Sequence, residues 1–414
     1  MRILIAGTVH YPAMNGQAVF TENLTEGLAK RGNEVLSIFP SEIGPAYSAT
    51  RNNVQVEALR SSNLNMIHSD AFFSLFSESA IRKILRAFQP NIVHVQDHFP
   101  LSQDVVQVAK NSGIPLIGTN HFMPENLAAY VPFISNIKPL YNHVMWAWML
   151  AVYNRLEIVT AQSKASAALM QAKGLKIPVY PVSCGIDLNR FHPDSTVKRA
   201  AVLTRFGLDP NRTIFLFVGR VDHEKRLDVI LRALKKLDRD DIQLGIAGHG
   251  AAQESLRMLA NELELGERVH FTGFVPADDL PDLLNSVDIF TMPSEAELLS
   301  IASLEAMACG RPVLLANAVA LPELAGNGIN GYLFQPGNPI DAARCIALLA
   351  DHPEHWARMG ANSLEKAKHH SMENTIKQYE TLYVNLLAGT YSSIADPGLN
   401  SYHSLPTELI GNKK

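Results

Sequence analysis

The sequence predicts an α/β protein of alternating strands and helices, and three observations carry that expectation. Short β-branched runs such as RILIAGT, NIVHV, IPLIGTN and TIFLFV read as strands, and RILIAGT and TIFLFV are each followed by a loop or turn and a segment of helical periodicity. The opening, RILIAGT then AVFTENLTEGLAKRGNEVLSIF, reads as strand, loop, helix, strand, the start of a right-handed βαβ series. The chain has 414 residues at 47% apolar content, enough to bury two substantial cores, so length suggests two or three domains.

Composition removes several functional classes. A net charge of -4 argues against a nucleic-acid binder. Cys184, Cys309 and Cys345 are widely spaced, with neither a pairing nor a metal pattern, and a reducing cytoplasm is the simplest home. MRILIAGTVHYP is too short and too soon interrupted for a secretory signal and fits a first buried strand. No internal repeat stands out.

In chain order, Asn15-Gly16 follows the first strand, where the backbone turns sharply or passes close to another group. His94 and His98 stand four apart in NIVHVQDH, but on a strand running into a loop they do not share a helical face, so a core or loop role is expected rather than a metal site. His121 ends the strand IPLIGTN, and polar groups at the C-terminal end of a parallel strand face the crevice where doubly wound sheets bind ligands. A structural loop histidine is the plainer alternative. The segment Tyr130 to Arg155 is strongly apolar and carries Tyr141, Trp146 and Trp148. Its apolar run is shorter than the roughly 20 residues a membrane span needs. It reads either as a core helix or as a contact to a lipid acceptor or membrane surface, although it lacks a basic face.

In the second half, TIFLFVGRVDHEKRLDVILRALKKL reads as strand, turn and amphipathic helix, with Leu227, Ile230, Leu231 and Leu234 on one face. Arg220 and Lys225 fall between strand end and first helical turn, where the positive dipole end disfavours cations unless an anion sits between them. Gly248-His249-Gly250 fails as a dinucleotide fingerprint because the third glycine is missing. The run LLSIASLEAMAC, closed by Gly310 and Pro312, reads as a buried helix whose N-terminus, near Leu299 and Ser300, suits a phosphate. Glu297 is expected at its start and Glu305 two turns in. By spacing alone, the pair is equally compatible with a dipole-facing residue and a solvated helix residue.

The stretch PSEAELLSIASLEAMACGRPVL resembles the glutamate, seven residues, glutamate motif of retaining GT-B glycosyltransferases of family 4. VYPVSCGIDLNRFHPD resembles that family's interdomain linker. The resemblance covers most of residues 1–388. It implies two Rossmann-like doubly wound domains facing a central cleft: an acceptor-side domain over 1–192, a nucleotide-sugar domain over 193–371, a returning helix over 372–388 and a polar tail over 389–414. It also implies a nucleotide-sugar donor, expected to be a UDP-sugar, and transfer with retention to a hydroxyl acceptor, a lipid or glycolipid at the membrane surface or else a soluble molecule. A catalytically idle nucleotide-sugar binder is the alternative of another class. Arg220 and Lys225 would clamp the donor diphosphate, Glu297 hold sugar hydroxyls, Glu305 the ribose, and His121 the sugar's far side. Gly16, Gly248, Leu299 and Ser300 would approach the donor with backbone atoms, and residues 269–275 the base. No Asp-x-Asp motif is present, so no metal and no further cofactor are expected. The chain departs from the pattern at Arg226, Ser300 and Ala320, where glycine is frequent, and at Asn15, where many members have a second glycine.

Overall fold

The computed structural model describes residues 1–10, 16–63, 72–124 and 138–391. Asn15, the start of the aromatic segment and the tail from residue 392 lie outside them. The chain divides into two compact units: Met1–Gly185 joined by the helix that starts at Met372, and Ile186–Ser371. The division falls ahead of the boundary expected near Pro193. Ile186 already bridges to Ser371, and its N–H donates to the His370 carbonyl at 2.9 Å, so the linker is tied into the second unit.

Unit 1 is built on β1 (Arg2–Ala6), β2 (Glu34–Pro40), β3 (Tyr47–Arg51), β4 (Val54–Leu59), the small pair β5 (Ser62–Asn63) and β6 (Phe72–Phe73), β7 (Ile92–Val95), β8 (Leu116–Asn120), β9 (Ile158–Ala161) and β10 (Val179–Pro181). Eight of these form one sheet in the order β10-β9-β8-β7-β1-β2-β4-β3, parallel except for β3 against β4. β1 sits inside it with Ile3, Leu4 and Ile5 fully buried, as expected for an apolar strand covered on both faces. The first helix, Gly16–Lys30, buries Phe20, Leu24 and Leu28. The helix Met372–Leu387 lies against it so closely that a Cβ on Gly27 would fall 2.1 Å from Ile376 Cδ1. Arg31 and Asn33 both donate to Glu380 of that helix, at 2.6 and 3.0 Å.

Unit 2 carries β11 (Thr213–Val218), β12 (Ile242–Ala247), β13 (Val269–Gly273), β14 (Ile289–Met292), β15 (Val313–Ala316) and β16 (Gly331–Phe334), all parallel, in the order β13-β12-β11-β14-β15-β16. The helix Leu227–Leu237 buries Leu227, Ile230, Leu231 and Leu234, and adds Val229 and Ala233 because Pro339–Ala350 packs on it as well.

Each sheet reverses its strand order once near its first strand: β2 and β7 flank β1, and β12 and β14 flank β11. At such a switch point the loops leaving the C-terminal strand ends diverge and open a crevice. In unit 1 those ends deliver Gly7 and Gln96; in unit 2 they deliver Gly219 and the loop to Glu297.

Candidate active site

In unit 2 the strand-end turns are pressed together. Gly248 has φ +127°, and a Cβ there would lie 1.9 Å from the Gly219 carbonyl oxygen, so glycine is required by backbone packing. Beyond Gly219 the chain forms a 3₁₀ turn, His223–Lys225, rather than entering the helix directly. Arg220 pairs with Asp222 at 2.9 Å and with Glu224 Oε1 at 3.1 Å. Lys225 Nζ donates to Glu297 Oε1 at 2.7 Å and lies 3.4 Å from Glu224 Oε1. Lys225 and Glu297 are 12% and 13% exposed, so this is a largely desolvated pair. Burial opposes the charged amine, but the two carboxylates outweigh it and hold its pKa above the ordinary lysine value. Glu224 Oε2 is buried and has no hydrogen-bond partner among the described residues.

The helix that carries Glu305 runs over Ile301–Ala308, with Ser300 as its N-cap. Ser300 Oγ accepts from the Ser303 N–H at 3.3 Å and from the Ser303 hydroxyl at 2.7 Å, which leaves its own O–H proton as remaining capacity. The helix ends at Cys309 and Gly310, whose φ of +72° suits a glycine just past a C-cap. Burial lifts the Glu305 carboxyl to about 7, with Arg190 opposing the rise. Val319 holds φ +47°, an unusual conformation for a β-branched residue, and the next N–H, of Ala320, donates to the Glu297 carbonyl at 3.3 Å. Near residues 269–275, the Phe274 N–H donates to His249 Nε2 at 3.1 Å, fixing the turn after β13.

In unit 1 the strand ends hold two polar centres. Asp97 accepts from the Thr8 N–H at 2.5 Å, from Gln17 Nε2 at 2.9 Å and from the Ser102 hydroxyl at 2.7 Å, joining the loop after β1 to the first helix. His121 has both ring nitrogens engaged: Nε2 with Gln96 Oε1 at 3.0 Å and Nδ1 with Gln162 Nε2 at 2.8 Å. Burial drops its pKa to about 3, so the ring is neutral. His94 is fully buried between Thr119 and Tyr383, while His98 packs among Phe99, Phe122 and Trp148.

Two family matches cover the two units: residues 14–190 match Glycosyltransferase Family 4, and residues 201–366 match Glycosyl transferases group 1. A D-inositol 3-phosphate glycosyltransferase of Rhodococcus jostii is 30% identical over 312 residues, 71% of this chain and 67% of that protein. The chain belongs to the family 4 glycosyltransferases. A second D-inositol 3-phosphate glycosyltransferase, from Mycobacterium marinum, is 30% identical over 319 residues, 74% of the family 4 chain and 67% of its own length. Among solved structures, sucrose-phosphate synthase from Thermosynechococcus elongatus superimposes with a TM-score of 0.75 at 19% identity, covering 94% of this chain and 100% of that one. HepE of Anabaena, solved in complex with UDP-glucose, gives 0.71 at 18% identity, with 95% and 100% covered. The fold of this glycosyltransferase is therefore GT-B.

The glycosyltransferase places its expected residues with several corrections. Glu297 stands in the loop before the helix rather than at its start, because the Ser300 cap sets the first helical residue at Ile301. Lys225 lies in the 3₁₀ turn, and Arg226 fills the glycine position with φ +51°, its guanidinium tied to Asp228 at 3.1 Å and Glu295 at 2.5 Å. Gly16 is exposed as the first residue of the first helix. Trp146 is 4% exposed inside unit 1, so it is a core residue and is withdrawn as an acceptor or membrane contact. Trp148 is half-buried with its ring edge-on to His98 at 4.9 Å, and Tyr141 is half-buried. The large apolar residues exposed on that helix, Lys138–Tyr153, are Leu140 and Val144. No described helix is long and apolar enough to cross a membrane. The sequence reading did not single out Glu224, Glu295, Gln96, Asp97 or Gln162. The available signal was that Gln96 and Asp97 directly follow a strand, as His121 does.

Proposed function

We propose that this glycosyltransferase moves a sugar from a UDP-sugar to a hydroxyl acceptor with retention at the anomeric carbon and without a metal ion. The carrying observation is the Arg220–Glu224–Lys225–Glu297 constellation at the unit 2 switch point. Two cations are held there by carboxylates, Lys225 largely buried and Arg220 open to solvent, and a diphosphate would exchange those carboxylates for phosphate oxygens. Arg220, Lys225 and the backbone at Leu299 and Ser300 would then stabilise charge growing on the leaving diphosphate. Glu297, released from Lys225, would accept from sugar hydroxyls, and Glu305 from the ribose. For His121 we propose contact with the transferred sugar as a neutral group. The bond from anomeric carbon to diphosphate oxygen breaks, the acceptor oxygen bonds on the same face, and its proton passes to the diphosphate oxygen.

For the acceptor, a soluble polar hydroxyl compound is the reading we adopt. It is supported by the D-inositol 3-phosphate glycosyltransferases among the relatives and by the burial of Trp146, on which a lipid reading leaned. A catalytically idle binder would be expected to have lost the clamp or a glutamate, and all four side chains are present.

Turnover of UDP-glucose in the presence of inositol phosphate, other polyols or lipid vesicles tests this reading. Lys225→Ala is expected to lower kcat/KM by roughly a hundredfold or more. Undiminished transfer by Lys225→Ala would remove the clamp assignment.

A further inference from the structure

His121 ends a hydrogen-bonded chain that runs wholly through unit 1. Gln162 Nε2 donates to His121 Nδ1 at 2.8 Å, so His121 carries its proton on Nε2 and donates it to Gln96 Oε1 at 3.0 Å. The other end of the same amide, Gln96 Nε2, donates to His94 Nε2 at 3.2 Å. The Thr119 hydroxyl lies 2.7 Å from that nitrogen, and with Nε2 accepting from the amide, His94 carries its proton on Nδ1 and donates it to the Tyr383 hydroxyl at 2.8 Å. Tyr383 lies on the helix Met372–Leu387, and the neighbouring Tyr379 hydroxyl is 3.0 Å from both Thr119 and Thr160. One amide thus decides the tautomer of two imidazoles, because a glutamine presents an acceptor at one end and a donor at the other. Gln96 has little freedom to turn away: it is fully buried, and its own N–H donates to the Ala6 carbonyl at 2.8 Å.

We propose that Gln96 and Gln162 are positioning residues that lock His121 as a neutral Nε2–H imidazole and align it with the C-terminal helix through His94 and Tyr383. The inference rests on the reading that His121 meets the transferred sugar. A ring so held offers the sugar a wall of fixed polarity and cannot take up a proton without breaking a buried hydrogen bond. Among the described residues the ionisable groups facing it are few. His94 is coupled to it across Gln96, and the Tyr379 ring lies behind Phe20, which packs on His121 at 4.9 Å. No carboxylate among the described residues hydrogen-bonds either imidazole.

The test is imidazole nitrogen NMR of the full chain, with His121 assigned by its loss in His121→Gln. The expected wild-type signal is an Nε2–H tautomer that does not titrate between about pH 5 and pH 8. In Gln96→Glu, a carboxylate replaces the amide, His121 should titrate within that window, and kcat should acquire the same pH dependence while falling up to about a hundredfold. Gln96→Leu combined with Gln162→Leu, which removes both hydrogen bonds of the His121 ring without adding charge, should give mixed tautomers, whereas Gln96→Leu alone leaves the Gln162 donor and should keep the Nε2–H form. An Nδ1–H tautomer, or a titration of His121 in the wild-type chain above about pH 5, would overturn the proposal without any variant. If the lock is observed yet His121→Ala transfers sugar normally, the contact between His121 and sugar fails and the lock stands. If His121→Ala is inactive but the wild-type ring titrates freely, the contact stands and the lock fails.

Discussion

Glu305 is a residue whose chemistry departs far from its solution behaviour. Burial raises its carboxyl to about 7, and Arg190 only partly offsets that. The group is protonated below this value and ionised above it, and only the ionised form accepts from both ribose hydroxyls. UDP-glucose affinity is therefore expected to rise about tenfold between roughly pH 6 and pH 8 and then level off. Calorimetric titration at several pH values checks this, with Glu305→Gln as the control that flattens the dependence. A wild-type affinity that is constant or falls over this range would exclude an ionised Glu305 at the ribose. UDP-glucose suits the measurement because its diphosphate does not titrate in that range.

At the scale of an element, the turn His223–Lys225 and the loop before Ile301 are stitched to each other. The Glu224 carbonyl accepts from the Glu295 N–H at 3.4 Å and the Ser294 hydroxyl at 3.3 Å, and Arg226 adds its ion pair to Glu295. Arg226 occupies the left-handed region that a glycine would adopt freely, at a strain of roughly 1 kcal/mol. Its half-exposed ion pairs return about as much. Arg226→Gly should consequently leave unfolding of unit 2 within about 1 kcal/mol of wild type, whereas Arg226→Ala keeps the strain and loses the pairs. Denaturant unfolding should rank alanine below glycine, and the reverse ranking would refute the strain argument. The helix Lys138–Tyr153 gives a second contrast at this scale. Trp146→Ala should destabilise unit 1 by about 3–5 kcal/mol as a core truncation, while Val144→Ser on the exposed face should change little. A near-neutral Trp146→Ala would contradict its placement in the core.

For the whole molecule, acid stability should differ between the units. His94 and His121 are pushed down to about 3 and His98 to about 4, each chiefly by burial, and all three belong to unit 1. Between those values and the unfolded value near 6.5, the unfolded chain binds protons that the folded chain does not. Their contribution is complete above about pH 6.5 and is lost as pH falls below it, by about 2 kcal/mol per histidine at about pH 5. Urea unfolding followed by probes in each unit should find unit 1 the more acid-sensitive, and His94→Gln should reduce the difference. Equal acid sensitivity of the two units would count against these buried neutral histidines.

Local pattern determined much of this protein. Apolar runs such as Arg2–Ala6 and Thr213–Val218 became interior parallel strands because their side chains can be buried on both faces without alternation. The helix with Leu227, Ile230, Leu231 and Leu234 and the glycine stop at Gly310 were legible for similar local reasons. Arg220, Lys225, Glu297 and Glu305 could be nominated because their residue types and spacing resemble the family 4 pattern. Tertiary structure alone decided who pairs with whom. Glu224 between Arg220 and Lys225, and Gln96 between His94 and His121, depend on strand ends brought together by the sheet order, which spacing does not encode. Burial was likewise a tertiary decision for Trp146, whose apolar stretch suited a core or an interface until the packing of unit 1 buried it, with Lys173 over its ring.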